Sequence, residues 1–200
     1  MRPADPILAV LAARGLLLTQ DKALPSVVGI LTGESIRTSW WSHPKAHLIF
    51  SVLSELAEHP DVLFTKLLYR KDTLVHRSLW PAVLAVGSAR EQWQVQGLSG
   101  DAKRLLERLD RGDGSVRAAG APVKELEARL LATAHEIHTE SGRHEKALES
   151  WHAWSGRVGC STVQSVPHAR RALEGAAVTL GAPLNSLPWQ AKSVNGRVDS

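Results

Sequence analysis

Two hundred residues, 44% hydrophobic and 22% charged, are enough to bury a core and exclude a wholly disordered chain. A single cysteine, Cys160, excludes a disulfide framework and a cysteine-rich metal site, and no apolar run reaches the ~20 residues a membrane-spanning helix needs. A net charge of +4, with nine histidines outside that count, permits contact with a polyanion without requiring it; the expectation is a cytoplasmic protein, clear of the membrane, that uses no cofactor.

Asp5–Leu17 reads as a first helix, its Ala and Leu positions recurring at helical spacing. Arg14 and Gly15 interrupt the apolar run and almost no basic segment precedes it, so it reads as a core helix rather than a leader. Leu24-Pro-Ser26 opens a short helical segment over Val27–Leu31, closed by Gly33. Pro44 suits the first turn of the next helix, with Ser42 or His43 as its cap. Ile49, Val52, Leu53 and Leu56 fall on one face of that helix, and His59-Pro60 stops it. Turn chemistry at Lys71-Asp72, between Val62–Tyr69 and Thr73–His76, suggests a small hairpin, with a helix over Val62–Leu68 as an equal alternative. Ser78 then caps a helix through Val86, with Pro81 in its first turn and Gly87 at its end.

A second unit begins near Gly97. Ser99 or Asp101 caps a helix in which Ala102, Leu105, Leu106 and Leu109 form an apolar stripe, with Lys103, Arg104, Arg108 and Arg111 outside it. Gly112-Asp-Gly114 ends that helix, and Ser115–Gly120 reads as a short connection. Pro122 opens a helix expected to run to Ala134, with Val123, Leu126, Leu130 and Leu131 on its buried side. The chain then alternates through His135-Glu-Ile-His138 into Glu140-Ser-Gly-Arg143, which has the composition of a tight turn. A helix followed by a hairpin is the layout of a wing. Leu148, Trp151 and Trp154 return to helical spacing, Pro167–Leu180 makes a last amphipathic helix, and the stretch from Gly181 onward is polar and punctuated by Pro and Gly. The predicted fold class is mainly α with small β-hairpins. It divides into a helical region over 1–96, a winged-helix-like region over 97–180 and a flexible tail over 181–200.

This arrangement resembles bacterial winged-helix proteins related to the AlkZ-type DNA glycosylases. The resemblance rests on Phe64-Thr-Lys-Leu-Leu-Tyr-Arg-Lys-Asp-Thr-Leu-Val-His76 with Leu79-Trp-Pro-Ala82, on Gly97-Leu-Ser99 opening a basic helix, and on Val123-Lys-Glu-Leu-Glu-Ala-Arg-Leu-Leu131 before a hairpin. It covers residues 24–155 and implies DNA as the partner and a link to DNA repair. Those enzymes use a Gln-x-Gln or Gln-x-Asp pair on an early strand to position water. Gln92-Trp-Gln94 fits the letters but follows the Leu79–Val86 helix, and the early position holds Leu18-Thr-Gln20, an incomplete match. That departure favours a non-catalytic relative, with Gln92 and Gln94 kept as catalytic candidates.

The candidates for nucleic-acid contact fall in four places. Trp40, Trp41, His43 and Lys45 lie where a loop meets a helix N-terminus, a position suited to phosphate and to an indole that stacks on a base. Lys103, Arg104 and Arg108 line the basic helix, Lys124 and Arg129 the helix in the recognition position, and His138, Arg143 and His144 the hairpin. His135, Glu136, His138, Glu140 and His144 also form the densest cluster of zinc-ligating side chains. The spacing lacks the His-Glu-x-x-His pattern and no second ligand group is evident, so no metal is predicted. Seven tryptophans against one tyrosine and two phenylalanines are expected chiefly in cores and helix junctions; a Trp151/Trp154 ridge that docks a protein partner is the alternative use. No nucleotide-binding glycine loop, serine-hydrolase elbow or Cys-x-x-Cys is present.

Overall fold

The computed structural model describes residues 2–112, 114–138 and 144–190, with backbone alone for 136–138 and 144–146. Helix α1 (Asp5–Arg14) stops at Gly15, whose φ of 76° is a left-handed conformation open to glycine, so the helix is shorter than expected. Leu16–Leu18 form strand β1 instead. Three consecutive buried leucines carry no period that separates helix from strand, and pairing decides the matter. Ser26 and Gly33 bound α2 (Val27–Thr32) as expected: the Ser26 hydroxyl accepts from the Gly29 amide at 3.1 Å. Helix α3 (Ala46–Ala57) buries Ile49, Val52 and Leu56, but it begins two residues beyond Pro44, with Lys45 rather than Ser42 or His43 at its cap. Strands β2 (Val62–Lys66) and β3 (Asp72–His76) form the predicted hairpin, in register from Val62 opposite His76 to Lys66 opposite Asp72. Strand β1 pairs along the other side of β3, Leu16 opposite Val75, so the sheet order is β1-β3-β2.

A 3-10 turn over Arg77–Leu79 precedes α4 (Trp80–Gly87), and the His76 imidazole, rather than Ser78, accepts the first free amide. After the short α5 (Gln92–Val95), Ser99 caps α6 (Gly100–Arg111) through a 3.2 Å bond from the Ala102 amide. The expected connection after α6 contains strand β4 (Ser115–Arg117). Helix α7 (Ala121–Ala128) ends well before Ala134, because the chain reverses through Leu130 at φ 52° and the Leu131 amide bonds back to the Leu126 carbonyl at 2.9 Å. Strands β5 (Thr133–His138) and β6 (His144–Glu149) form the second predicted hairpin, which places Leu148 on a strand rather than a helix. β4 pairs with the other side of β6, giving the order β4-β6-β5. In both sheets the last strand in sequence lies in the middle. Helices α8 (Trp151–Val158) and α9 (Val166–Leu180) follow.

Two apolar clusters hold these elements. The first joins α1, β1, α2, α3, β2, β3, α4, α8 and α9, and the second joins α6, α7 and β6 between Leu98 and Leu148. Helices α8 and α9, which the sequence groups with the second half, therefore pack with the first. Trp151 and Trp154 are each 3% exposed and meet edge to face at 5.5 Å, while Trp154 meets Trp80 at 5.3 Å, so they form core rather than a docking ridge. The start of the supposed tail is folded too: Ser186 and Leu187 are buried, and the Trp189 indole donates to Glu174 at 2.9 Å. Residues 191–200 lie outside the described chain. The two sheets approach edge to edge, the Thr133 hydroxyl donating to the Phe64 carbonyl at 3.5 Å. No helix among the described residues is long and apolar enough to cross a membrane.

Candidate nucleic-acid interface

The loop between α2 and α3 carries the first group of expected contacts. Trp40 and Trp41 stack at 3.9 Å with planes 25° apart, and Trp41, 62% exposed, leans on Phe50 at 5.8 Å. The polar members are committed elsewhere. Lys45 Nζ donates to the Leu31 and Thr32 carbonyls at 3.0 and 3.5 Å, satisfying acceptors that the end of α2 leaves open. His43 Nε2 faces Glu34 at 3.2 Å, and its Nδ1 accepts the Lys45 amide. His43 and Lys45 thus help to close this loop in the free chain.

On α6 the buried stripe of Ala102, Leu105, Leu106 and Leu109 turns Arg104, Arg108 and Arg111 to the opposite face. Arg104 pairs with Asp101 and Arg111 with Glu107, so two of those three charges are met within the helix. Lys103, Arg108 and Lys124 are exposed and have no ion pair among the described residues. Arg129 turns toward the backbone: its guanidinium donates to the Gln96 carbonyl at 2.6 Å, to Trp93 and Gln94 at 3.3 Å and to Gly97 at 3.4 Å. It closes the C-terminal end of α5. Glu125 beside it accepts the Ser99 amide and hydroxyl, tying α7 to the start of α6.

The glutamine pair does not converge. Gln94 is fully buried, its amide nitrogen donating to the Gly87, Arg129 and Leu130 carbonyls at 3.2–3.4 Å and its oxygen accepting the Glu91 amide at 2.9 Å. Gln92 is exposed. A buried, saturated amide cannot orient water with an exposed partner, which removes Gln94 from the catalytic candidates. In the second hairpin, the side chains of Glu136, His138 and His144 and the whole of Glu140 and Arg143 lie outside the described residues. Among the described residues no group of three His, Cys, Asp or Glu side chains is placed to hold a metal ion.

Comparison with known proteins finds no match. No family model, curated protein or solved structure matches the chain, so its site is read from its own geometry.

That geometry contains one cluster the sequence reading missed. At the tip of the first hairpin, Tyr69 and Arg70 stand in left-handed conformations with φ of 53° and 57°, and both side chains are exposed. Lys71 Nζ bonds Asp21 at 2.7 Å and lies 5.6 Å from the Tyr69 ring centroid. Gln20 Nε2, one residue before Asp21, donates to the Ile36 and Thr38 carbonyls at 3.2 and 2.6 Å and so fixes Arg37 nearby. Lys22, Ala23 and Arg37 line a shallow depression of about 510 Å³. The available signal was Tyr-Arg-Lys at a hairpin tip, which reads on its own as ordinary turn polarity.

Proposed function

We propose that the chain is a nucleic-acid-binding protein built on winged-helix-like units, distantly akin to the AlkZ-related proteins and not itself a glycosylase. The observation that carries the reading is the order of the first half: α1–β1–α2–α3–β2–β3, with the last strand central in an antiparallel sheet. A helix pair followed by a hairpin offers one helix face and one projecting turn to the same polyanion. The second half repeats the strand order as α6–β4–α7–β5–β6 with a single helix between its first strand and its hairpin. The fuller match is thus in the first half, whereas the sequence places it in the second. Against base excision stands the commitment of Gln94 to backbone groups.

Fluorescence anisotropy with labelled duplex and single-stranded oligonucleotides at low and moderate salt tests the reading. Binding that weakens steeply with salt supports it, because phosphate contacts release counterions. No binding to either form at low salt overturns it.

A further inference from the structure

We propose that the nucleic acid is held chiefly by the first half, with Lys22, Arg37 and Arg70 on phosphates and Tyr69 stacked on an unpaired base, rather than by α6, α7 and the second hairpin. The inference rests on the nucleic-acid reading above and assigns its site.

Three observations carry it. First, segments far apart in sequence are bonded into one surface: the Lys71–Asp21 pair ties the hairpin tip to the turn bearing Lys22, and Gln20 ties that turn to the loop bearing Arg37. Second, the charges are uncompensated. The carboxylates within these segments are Asp21, Asp72 and Glu34: Lys71 holds Asp21 at 2.7 Å, Lys66 holds Asp72 at 2.6 Å, and Glu34, on the loop bearing Arg37, faces His43 at 3.2 Å. Lys22, Arg37 and Arg70 are exposed and have no ion pair among the described residues. On α6 the arginines at 104 and 111 are met by carboxylates one turn away, which leaves Lys103, Arg108 and, on α7, Lys124 without an ion pair among the described residues; the first half differs in that its unpaired cations sit on segments bonded together beside an exposed ring. Cations without local partners are those that gain most from a phosphate backbone.

Third, the tip places an aromatic ring where turn chemistry favours glycine. Tyr69 and Arg70 both occupy the left-handed region, which side chains adopt at a cost and glycine adopts freely. The Tyr69 ring is 44% exposed, with the Lys71 ammonium nearby. An exposed ring among cations is the pattern that grips a strand through its backbone and a base face together, and it favours single-stranded or locally opened nucleic acid over intact duplex.

The test compares the wild-type chain with two triple variants in anisotropy titrations against a single-stranded oligonucleotide and its duplex. Lys22→Glu/Arg37→Glu/Arg70→Glu is expected to weaken binding by about tenfold or more and to flatten the slope of log Kd against log salt by about 2 to 3. Lys103→Glu/Arg108→Glu/Lys124→Glu is expected to change Kd by less than about threefold, since contacts outside the bound surface leave the counterion balance intact. Tyr69→Ala is expected to weaken single-strand binding by about fivefold or more, with a smaller effect on duplex. Thermal melting checks that each variant is folded, and Arg70→Glu alone repeats the test if the triple exchange lowers the midpoint. Loss confined to the second-half variant, or a first-half variant that binds like wild type, overturns the site while leaving nucleic-acid binding in place. Tyr69→Ala without effect on the single strand overturns the stacking contact. A wild-type chain that binds neither oligonucleotide overturns the site and the function together.

Discussion

The indole of Trp151 fills the space that a side chain on Gly87 would need: a Cβ there would lie 2.3 Å from Trp151 Nε1, which donates to the Leu130 carbonyl at 2.7 Å. Gly87 closes α4 and Trp151 opens α8, so this contact sets how closely the two helices approach. Helix propensity alone predicts that Gly87→Ala stabilises α4 by about 0.5–1 kcal/mol. Packing predicts the opposite, because the indole must move and its buried N–H loses an acceptor, at about 1–3 kcal/mol. Urea denaturation of Gly87→Ala is expected to show a net loss; a gain would mean that the indole has room to shift.

Much of the fold was legible because it depends on local chemistry. The caps at Ser26 and Ser99, the apolar faces of α3 and α6 and both hairpins follow from residues within a few positions of one another. The misses share a different cause. Leu16–Leu18 becomes a strand only because β3 accepts it, α7 stops where Leu130 turns the chain, and α8 and α9 pack across the sequence on the first half. The site was less legible for the same reason. Composition marks Lys45 and Arg129 as cations, but only the fold reveals that open helix ends consume them. Conversely, Lys22, Arg37 and Arg70 gather through Asp21 and Gln20, whose partners lie 16 to 50 positions away.

The two glutamines once paired by spacing should separate in their effects. Gln94→Ala removes an amide that satisfies the Glu91 N–H and the carbonyls at the end of α4 and α7, and it opens a small void. A loss of about 1–3 kcal/mol in unfolding free energy is expected, the range for stranding buried polar groups. Gln92→Ala, at an exposed position, should stay within about 0.5 kcal/mol of wild type. Equal effects would contradict the assignment of Gln94 as a structural clamp.

Arg129 tests the same clamp from the other side. Arg129→Met keeps most of the aliphatic stem but removes the donors that reach four carbonyls between Trp93 and Gly97. The expected loss is about 1–2 kcal/mol, because the Trp93 and Gln94 acceptors are partly shielded from water while those of Gln96 and Gly97 are exposed. Amide hydrogen exchange should accelerate across residues 92–97 more than in α6. If exchange there is unchanged, the guanidinium is dispensable for holding α5.

Acid should loosen the first hairpin. Burial pushes the Asp21 carboxyl up, but hydrogen bonds from Lys71 Nζ and the Ala23 and Leu24 amides, aided by the Lys71 charge, outweigh burial and hold it below its ordinary value of 3.8. Folding thus favours the ionised form: the unfolded chain takes up the proton first as pH falls. The contribution is present above the unfolded value and is lost as pH falls through the lower, folded one. Asp21→Asn should therefore cost about 1–3 kcal/mol at pH 6, the range for a hydrogen bond to a charged group, and less at pH 2.5, below the ordinary value, where the unfolded wild-type chain has already taken up the proton and the linked stability is being lost. Chemical denaturation of both proteins at the two pH values measures this. A deficit that stays constant between them would mean that Asn fails to replace the Asp21 hydrogen bonds for steric reasons and that charge plays no part.

The tie between the end of β6 and α8 makes a sharper case of charge left without its partner. Glu149, with its side chain 6% exposed, accepts from Arg157 Nε at 3.0 Å and from Nη2 at 2.7 Å, and these bonds, with the Glu149 charge, raise the Arg157 pKa against the effect of burial. Arg157→Met leaves a buried carboxylate with the His135 imidazole, 3.7 Å away, beside it. The expected loss is about 1–3 kcal/mol, below that of a fully buried pair because the Arg157 side chain is half exposed and already screened by water. Adding Glu149→Gln removes the stranded charge, so the double variant should recover part of the single variant's loss in a thermal melt. If the double variant melts no higher than Arg157→Met, the arginine contributes through packing of its stem on α8, and the buried ion pair is not what joins the second sheet to the helix that follows it.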